Sequence, residues 1–440
     1  MLALRLARGS QPAVQFRRLL VATASAATGF LLLSTLGHAL AHQDTPGGSA
    51  LRLAWCVAPL AATVYFAVTV ARTDPGTRPR PGLSAIGLGP ARLMAISATT
   101  TALSCLLGSM LALLLFLHLR GDLTGMPFDG DAAAFLAADQ PLPLPAALTL
   151  LTLVPVAASL SVALLLRPRE TCRAAPQGRK AAGSSAVGAA PVPQRGGTPS
   201  APGSASHLPA PTPGTSSDPA QEPNLTSTDP HPLPAPRPTP RELPWGIAVL
   251  AAGLAVEAYA GRDTTATGLA MPGGATGSPA AVLVGWTLTA LGLALAGPGL
   301  THLCGRLLQA VRPGALRLLA GRVLMEEATR IGRPLGVVCA VASGAYAMIV
   351  LYDDAADDPS LGPLTTLGAL VVAGATVAAL LTAAAEARHA RADTTAALLR
   401  LGAPATTLRT AAALRAGALL ALFAPLTLVI AELAALPLAA

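Results

Sequence analysis

The chain has 440 residues, 52% of them hydrophobic and 12% charged, with a mean hydropathy of +0.56 and a formal net charge of +8. A water-soluble fold of this length cannot hide that much apolar surface, so lipid must solvate much of the molecule. Five cysteines with no CxxC pair indicate neither a zinc site nor a disulfide framework, and the distribution of the positive charge, described below, argues against a nucleic-acid partner.

Apolar runs near spanning length fall at 19–40, 53–71, 93–117, 146–166, 245–260, 280–300, 335–352, 364–384 and 411–435. Backbone amides in lipid must pair within their own segment, so each run predicts a transmembrane helix. The expected fold class is an all-α polytopic bundle of about nine spans. The first run is long enough to span and has no small-residue cleavage site before the second, so it reads as a span rather than a signal peptide.

Residues 170–244 differ in kind. They are rich in Pro, Ser, Gly, Ala and Thr without apolar periodicity ("APGSASHLPAPTPGTSSDPA") and predict a disordered cytosolic linker. The expected organisation is a first membrane block over 1–169 with four spans, the linker over 170–244, two connecting spans over 245–300, and a second block over 301–440. That second block opens with an amphipathic lead-in at 306–333, expected to lie on the inner membrane surface, followed by three spans.

Arginine placement orients the chain. With Arg5, Arg8, Arg17 and Arg18 in the cytosol and the runs alternating, only Arg52, Arg120 and Arg262 of the 30 basic residues fall outside. Acidic residues do the reverse: Asp122, Asp129, Asp131 and Asp139 share one outer loop, and Asp353, Asp354, Asp357 and Asp358 another. The expected location is a bacterial plasma membrane with a cytosolic N-terminus, and this asymmetry explains the basic charge without nucleic acid.

One polar interruption occurs twice. "SAIGLGPARLMAIS" at 84–97 and "LLRLGAPATTLRTA" at 398–411 each place a glycine (Gly87, Gly402) six residues before a leucine (Leu93, Leu408), with a proline between (Pro90, Pro404). Arginines precede both: Arg72, Arg78 and Arg80 in front, Arg388, Arg391 and Arg400 behind. Each segment reads as a short cytosolic helix, a Gly-Pro turn and a return into lipid. A unit repeated about once per block implies two-fold pseudosymmetry.

That order, lead-in, span, outer loop, span, elbow, span, resembles the FtsX-like permease family of ABC transporters. "LLRLGAP" stands where the family has its elbow, Leu83–Met94 match more weakly, and "LLAGRVLMEEATRIGRPLGVV" is similar to the family's approach to its first span. The duplicated arrangement is similar to ten-span members lacking the last span. The outer loop at 119–145 is too short to be the large extracellular domain that many members carry, and Gly89 and Pro90 replace a more polar front elbow.

The resemblance implies a permease subunit, or a subunit passing a mechanical signal, driven by a separate P-loop ATPase. Its coupling residues would be Gly87, Leu88, Arg92, Glu386, Arg391, Arg400, Leu401, Gly402 and Arg409. Lipids, lipoproteins or peptides at the outer leaflet would be its substrates, and a homo- or heterodimer its assembly. The chain has no GxxxxGK[ST] loop of its own around its single lysine, Lys180, so no enzyme activity and no cofactor are expected.

Other reactive side chains have plainer readings. Glu257 and Glu432 lie in apolar runs near expected outer ends, where a carboxylate reaches water. His38 and His42 share a helix face, and His118 ends the third span, but no cysteine or carboxylate completes a metal set. The alternative functions are a non-transporting scaffold and a secondary transporter, the latter requiring a membrane-buried ionisable residue.

Overall fold

The computed structural model describes residues 12–44, 46–74, 90–123, 130, 132–133, 136–167, 242–260, 279–310, 314–354, 362–402 and 404–439. Among these there is no strand, and the elements are α1 Pro12–Ala41, α2 Pro46–Trp55, α3 Val57–Thr73, α4 Pro90–Arg120, α5 Leu144–Leu165, α6 Glu242–Ala260, α7 Pro279–Ala310, α8 Ala315–Asp354, α9 Pro363–Ala390, α10 Ala392–Arg400 and α11 Ala405–Ala439. Nine helical stretches among the described residues are long and apolar enough to cross a membrane, with α2 and α3 together forming the second. The all-α polytopic fold therefore holds, and each expected run has its helix. The linker expected at 170–244 lies outside the described residues except at its end, where α6 already begins at Glu242.

The helices carry leucine on nearly every face because lipid replaces water around them. Leu107, Leu111, Leu160, Leu370 and Leu420 are all exposed in the protein. With no hydrophobic drive between helices in lipid, contact depends on small residues that let backbones approach and on polar side chains that bond across. In the front bundle α1, α3, α4 and α5 pack on one another. Ser25 donates to the Cys105 carbonyl at 2.9 Å, Thr28 and Thr63 share a hydrogen bond at 2.9 Å, and Ser109 donates to the Leu151 carbonyl at 3.0 Å.

The rear helices pair in a parallel way. As α1 packs on α4, so α8 packs on α11, where Ser343 donates to the Thr427 carbonyl at 3.2 Å. The α6–α7 hairpin leans on α8 and α11. The helix that joins front to rear is α9, which packs on α3 and α1 as well as on α8. Its Ala375 and Ala379 are buried in the same apolar cluster as Leu31, Phe66 and Val154 of the front helices.

The lead-in expected to lie separately at 306–333 is not a separate element. Residues 306–310 finish α7, and 315–333 open α8, which continues through Pro334 to Asp354 as one helix of 40 residues. At about 1.5 Å per residue it is about 60 Å long, roughly twice the hydrocarbon thickness. The apolar 335–352 stretch fills a span, so 315–333 extends beyond it. Its small residues explain why it stands up rather than lying flat: Gly321 meets Gly305 and Gln309 of α7, and Gly332 and Gly336 sit against the α7 backbone at Gly297 and Leu293.

Candidate functional site

The rear elbow is built where α9 leaves the bundle. Arg391 caps α9, and its Nε both donates to the Ala387 carbonyl at 3.0 Å and lies 2.9 Å from Glu327 Oε1 on α8. Arg415, half-buried on the first turns of α11, also acts on Glu327. One acidic group thus gathers the feet of α9 and α11 against the outlying part of α8.

The chain turns at Arg391 because its carbonyl accepts from the hydroxyls of Thr394 and Thr395, both at 2.9 Å, which starts α10 immediately. This nine-residue helix has no buried residue. Its Leu398 and Leu399 are exposed, and Leu401 just beyond it is 84% exposed. Gly402 follows with φ +87°, a left-handed conformation that ends helices and favours glycine, and its N–H bonds the Leu399 carbonyl at 3.1 Å. Pro404 then accepts from the Thr407 hydroxyl at 2.7 Å as α11 begins. Arg400 and Arg409 are exposed on either side of the turn, and Glu386 is half-buried and engaged near the end of α9. The structure therefore brings Glu386, Arg391, Arg400, Leu401, Gly402 and Arg409 into one continuous helix–turn–helix.

The front elbow is described only in part. Gly87 and Leu88 lie outside the described residues. Arg92 is exposed, and engaged, on the first turn of α4, next to buried Leu93. The joint before it has its own ion pair, which the sequence reading missed: Arg18 on α1 meets Asp74, the cap of α3, at 2.7 Å. In both blocks the residue that caps the second span is tied to the leading helix, but with the charges exchanged: acid on the cap in front, arginine on the cap behind. The signal that marks them in the sequence is a charged residue within a few positions of the end of an apolar run, Asp74 after 53–71 and Arg391 after 364–384.

Elsewhere the charged groups are held differently. At the far end of α4, Arg120 is 4% exposed, lies 3.4 Å from Asp122 through Nε and donates to the Gln140 carbonyl. His38 and His42 stack with ring centroids 4.1 Å apart. Glu432 is exposed and accepts from the Tyr346 hydroxyl at 2.8 Å, in keeping with a carboxylate near water.

Glu257 departs from that expectation. It is 2% exposed, enclosed between α6 and α7, and Thr289 of α7 donates to its Oε1 at 3.0 Å. The reason is the closeness of the hairpin. Gly246 and Gly253 on α6, and Gly285, Gly292 and Gly299 on α7, recur every seven residues, and a methyl group on any of them would overlap the partner helix. A seven-residue glycine spacing keeps the small positions on one helix face, so the two helices close over the carboxyl. Comparison with protein-family models, with curated proteins and with solved structures finds no match for this chain.

Proposed function

We propose that this chain is the membrane permease subunit of an ABC-type transporter or mechanotransmission complex, resembling the FtsX-like family, in a bacterial plasma membrane with its N-terminus in the cytosol. The observation that carries the reading is α10 with its Gly402 turn: a helix with no buried residue, three exposed leucines and flanking arginines, set between two membrane rods and clamped at its base by Arg391 and Glu327. A surface of this kind suits a protein partner with an apolar cleft and an acidic rim. On this reading a separate P-loop ATPase seats there, and its movement passes through the clamp to α8, α9 and α11.

The test is co-purification from the native cell after mild detergent extraction. A P-loop ATPase that hydrolyses ATP should be recovered with the wild-type chain. Leu401→Arg and Arg400→Glu, both at exposed positions, should lose it while keeping the thermal stability of the membrane bundle. Unchanged recovery with both variants would favour a scaffold whose assembly does not use the elbow. A second reading, a secondary transporter, is favoured by one observation: the buried carboxyl of Glu257.

A further inference from the structure

The geometry points to a proton-binding site inside the membrane at Glu257, enclosed by the α6–α7 hairpin. Of its two carboxyl oxygens, Oε1 accepts from Thr289 and Oε2 is buried with no hydrogen-bond partner. Gly285 makes the room, since a methyl there would overlap the Glu257 side chain, and Gly253 does the same for Thr289. The helix packing here is therefore shaped around a carboxyl and a hydroxyl.

No described charge offsets an ionised form. On α6 itself Glu242 lies at the opposite end and Tyr259 is exposed. On α7 the titratable side chains are His302, Cys304 and Arg306, at the end of the helix remote from Thr289. On α11, the other helix packed against α6, Arg409 and Arg415 belong to the elbow and Glu432 is exposed and bonded to Tyr346. Arg52, on the neighbouring α2, is exposed. Burial and the Thr289 hydrogen bond are the influences acting on this carboxyl.

An ionised carboxylate with one donor and a bare second oxygen in this setting carries a heavy desolvation penalty, and such groups neutralise instead. The proton sits on Oε2, because Oε1 is occupied by the Thr289 donor. A metal ion is a poor fit, since one carboxyl and one hydroxyl supply far fewer than the roughly six oxygens that hard cations take. Release of the proton requires water, and water requires the glycine contacts at the Glu257 end of the hairpin to part. Proton occupancy and hairpin opening are therefore linked: deprotonation favours the open pair and protonation the closed one. This holds whether or not an ATPase seats on α10, so failure of either idea leaves the other standing.

The experiment uses the full chain in lipid vesicles, treated with a hydrophobic carbodiimide across a pH series, with modified glutamates located by mass spectrometry. The carboxyl proton moves to a carbodiimide nitrogen while the carboxyl oxygen bonds to the central carbon, and the adduct rearranges to a stable acylurea. Labelling at Glu257 should fall about tenfold for each pH unit above its titration point, vanish in Glu257→Gln, persist in Glu432→Gln and be unaffected by sodium. Infrared difference spectra of wild type against Glu257→Gln give a readout that needs no reagent access. They should show loss of a protonated-carboxyl band at neutral pH, and the wild-type band should titrate reversibly. Loss of an ionised-carboxylate band, a carboxyl band that never titrates, or sodium protection of the label would each overturn the proposal.

Discussion

Arg391 and Glu327 meet at 2.9 Å, joining the foot of α9 to the part of α8 that extends past its span. The pair is partly shielded, with side-chain exposures of 25% and 12%, so its value lies between that of a surface pair and a buried one. Removing Glu327 also leaves Arg391 and Arg415 facing each other. Glu327→Gln is expected to destabilise the protein in detergent by about 1–2 kcal/mol, read as a lowered melting temperature. The exchange Glu327→Arg with Arg391→Glu should recover part of that loss, since the front joint already works with its charges in the opposite order. A double variant no more stable than the worse single one would contradict the clamp.

The Gly402 turn gives a second expectation. At φ +87° with open space around its Cα, the position resists side chains for backbone reasons alone. Gly402→Ala should lower stability by about 1 kcal/mol, whereas Gly417→Ala, in open space within helical α11, should be neutral or slightly stabilising. Thermal melts of the two variants side by side check this.

The α6–α7 glycines are expected to act through packing. Gly292 sits against the Leu250 backbone, so Gly292→Val must push the helices apart and should destabilise by about 1–3 kcal/mol. Gly374→Val, which meets nothing within 4 Å, should change the melting temperature far less. Equal losses in the two variants would mean the effect is helix propensity rather than close contact.

The three tryptophans report on the lipid boundary. Trp245 on the first turn of α6 is 73% exposed, whereas Trp55 and Trp286 pack edge to face with centroids 5.7 Å apart. In vesicles with nitroxide-labelled lipid, the Trp55→Phe/Trp286→Phe protein, which keeps only Trp245, should be strongly quenched. The Trp245→Phe protein should be quenched much less. The reverse order would contradict the membrane placement of α6.

The spans were legible in the sequence because lipid demands long apolar helices, and composition alone reports that. The order of α10, Gly402 and Pro404 was legible too, since glycine, proline and threonine mark turns by their own chemistry. What the apolar runs did not disclose is which helix meets which. That α9 joins the front cluster through Ala375 and Ala379 depends on alanines that look alike on every face of the helix. The fusion of the lead-in with the seventh span turned on Gly321, Gly332 and Gly336 meeting α7, contacts distant in the sequence. The burial of Glu257 is hidden for the same reason: its place near the end of a run implies water, and only the seven-residue glycine spacing of α6 and α7 shows that the helices close over it. The Arg18–Asp74 and Glu327–Arg391 joints were hidden among residues whose charge equally suits topology anchors.

The reading depends most on which side of the membrane the exposed elbow faces. Leu401→Cys, placed in a chain whose own cysteines have been replaced, puts a thiol at the most open point of the turn. An impermeant maleimide should leave this thiol unmodified in intact cells, modify it in inverted membrane vesicles, and modify it more slowly there once the ATPase is bound. Modification from outside intact cells would contradict both the cytosolic elbow and its role in coupling.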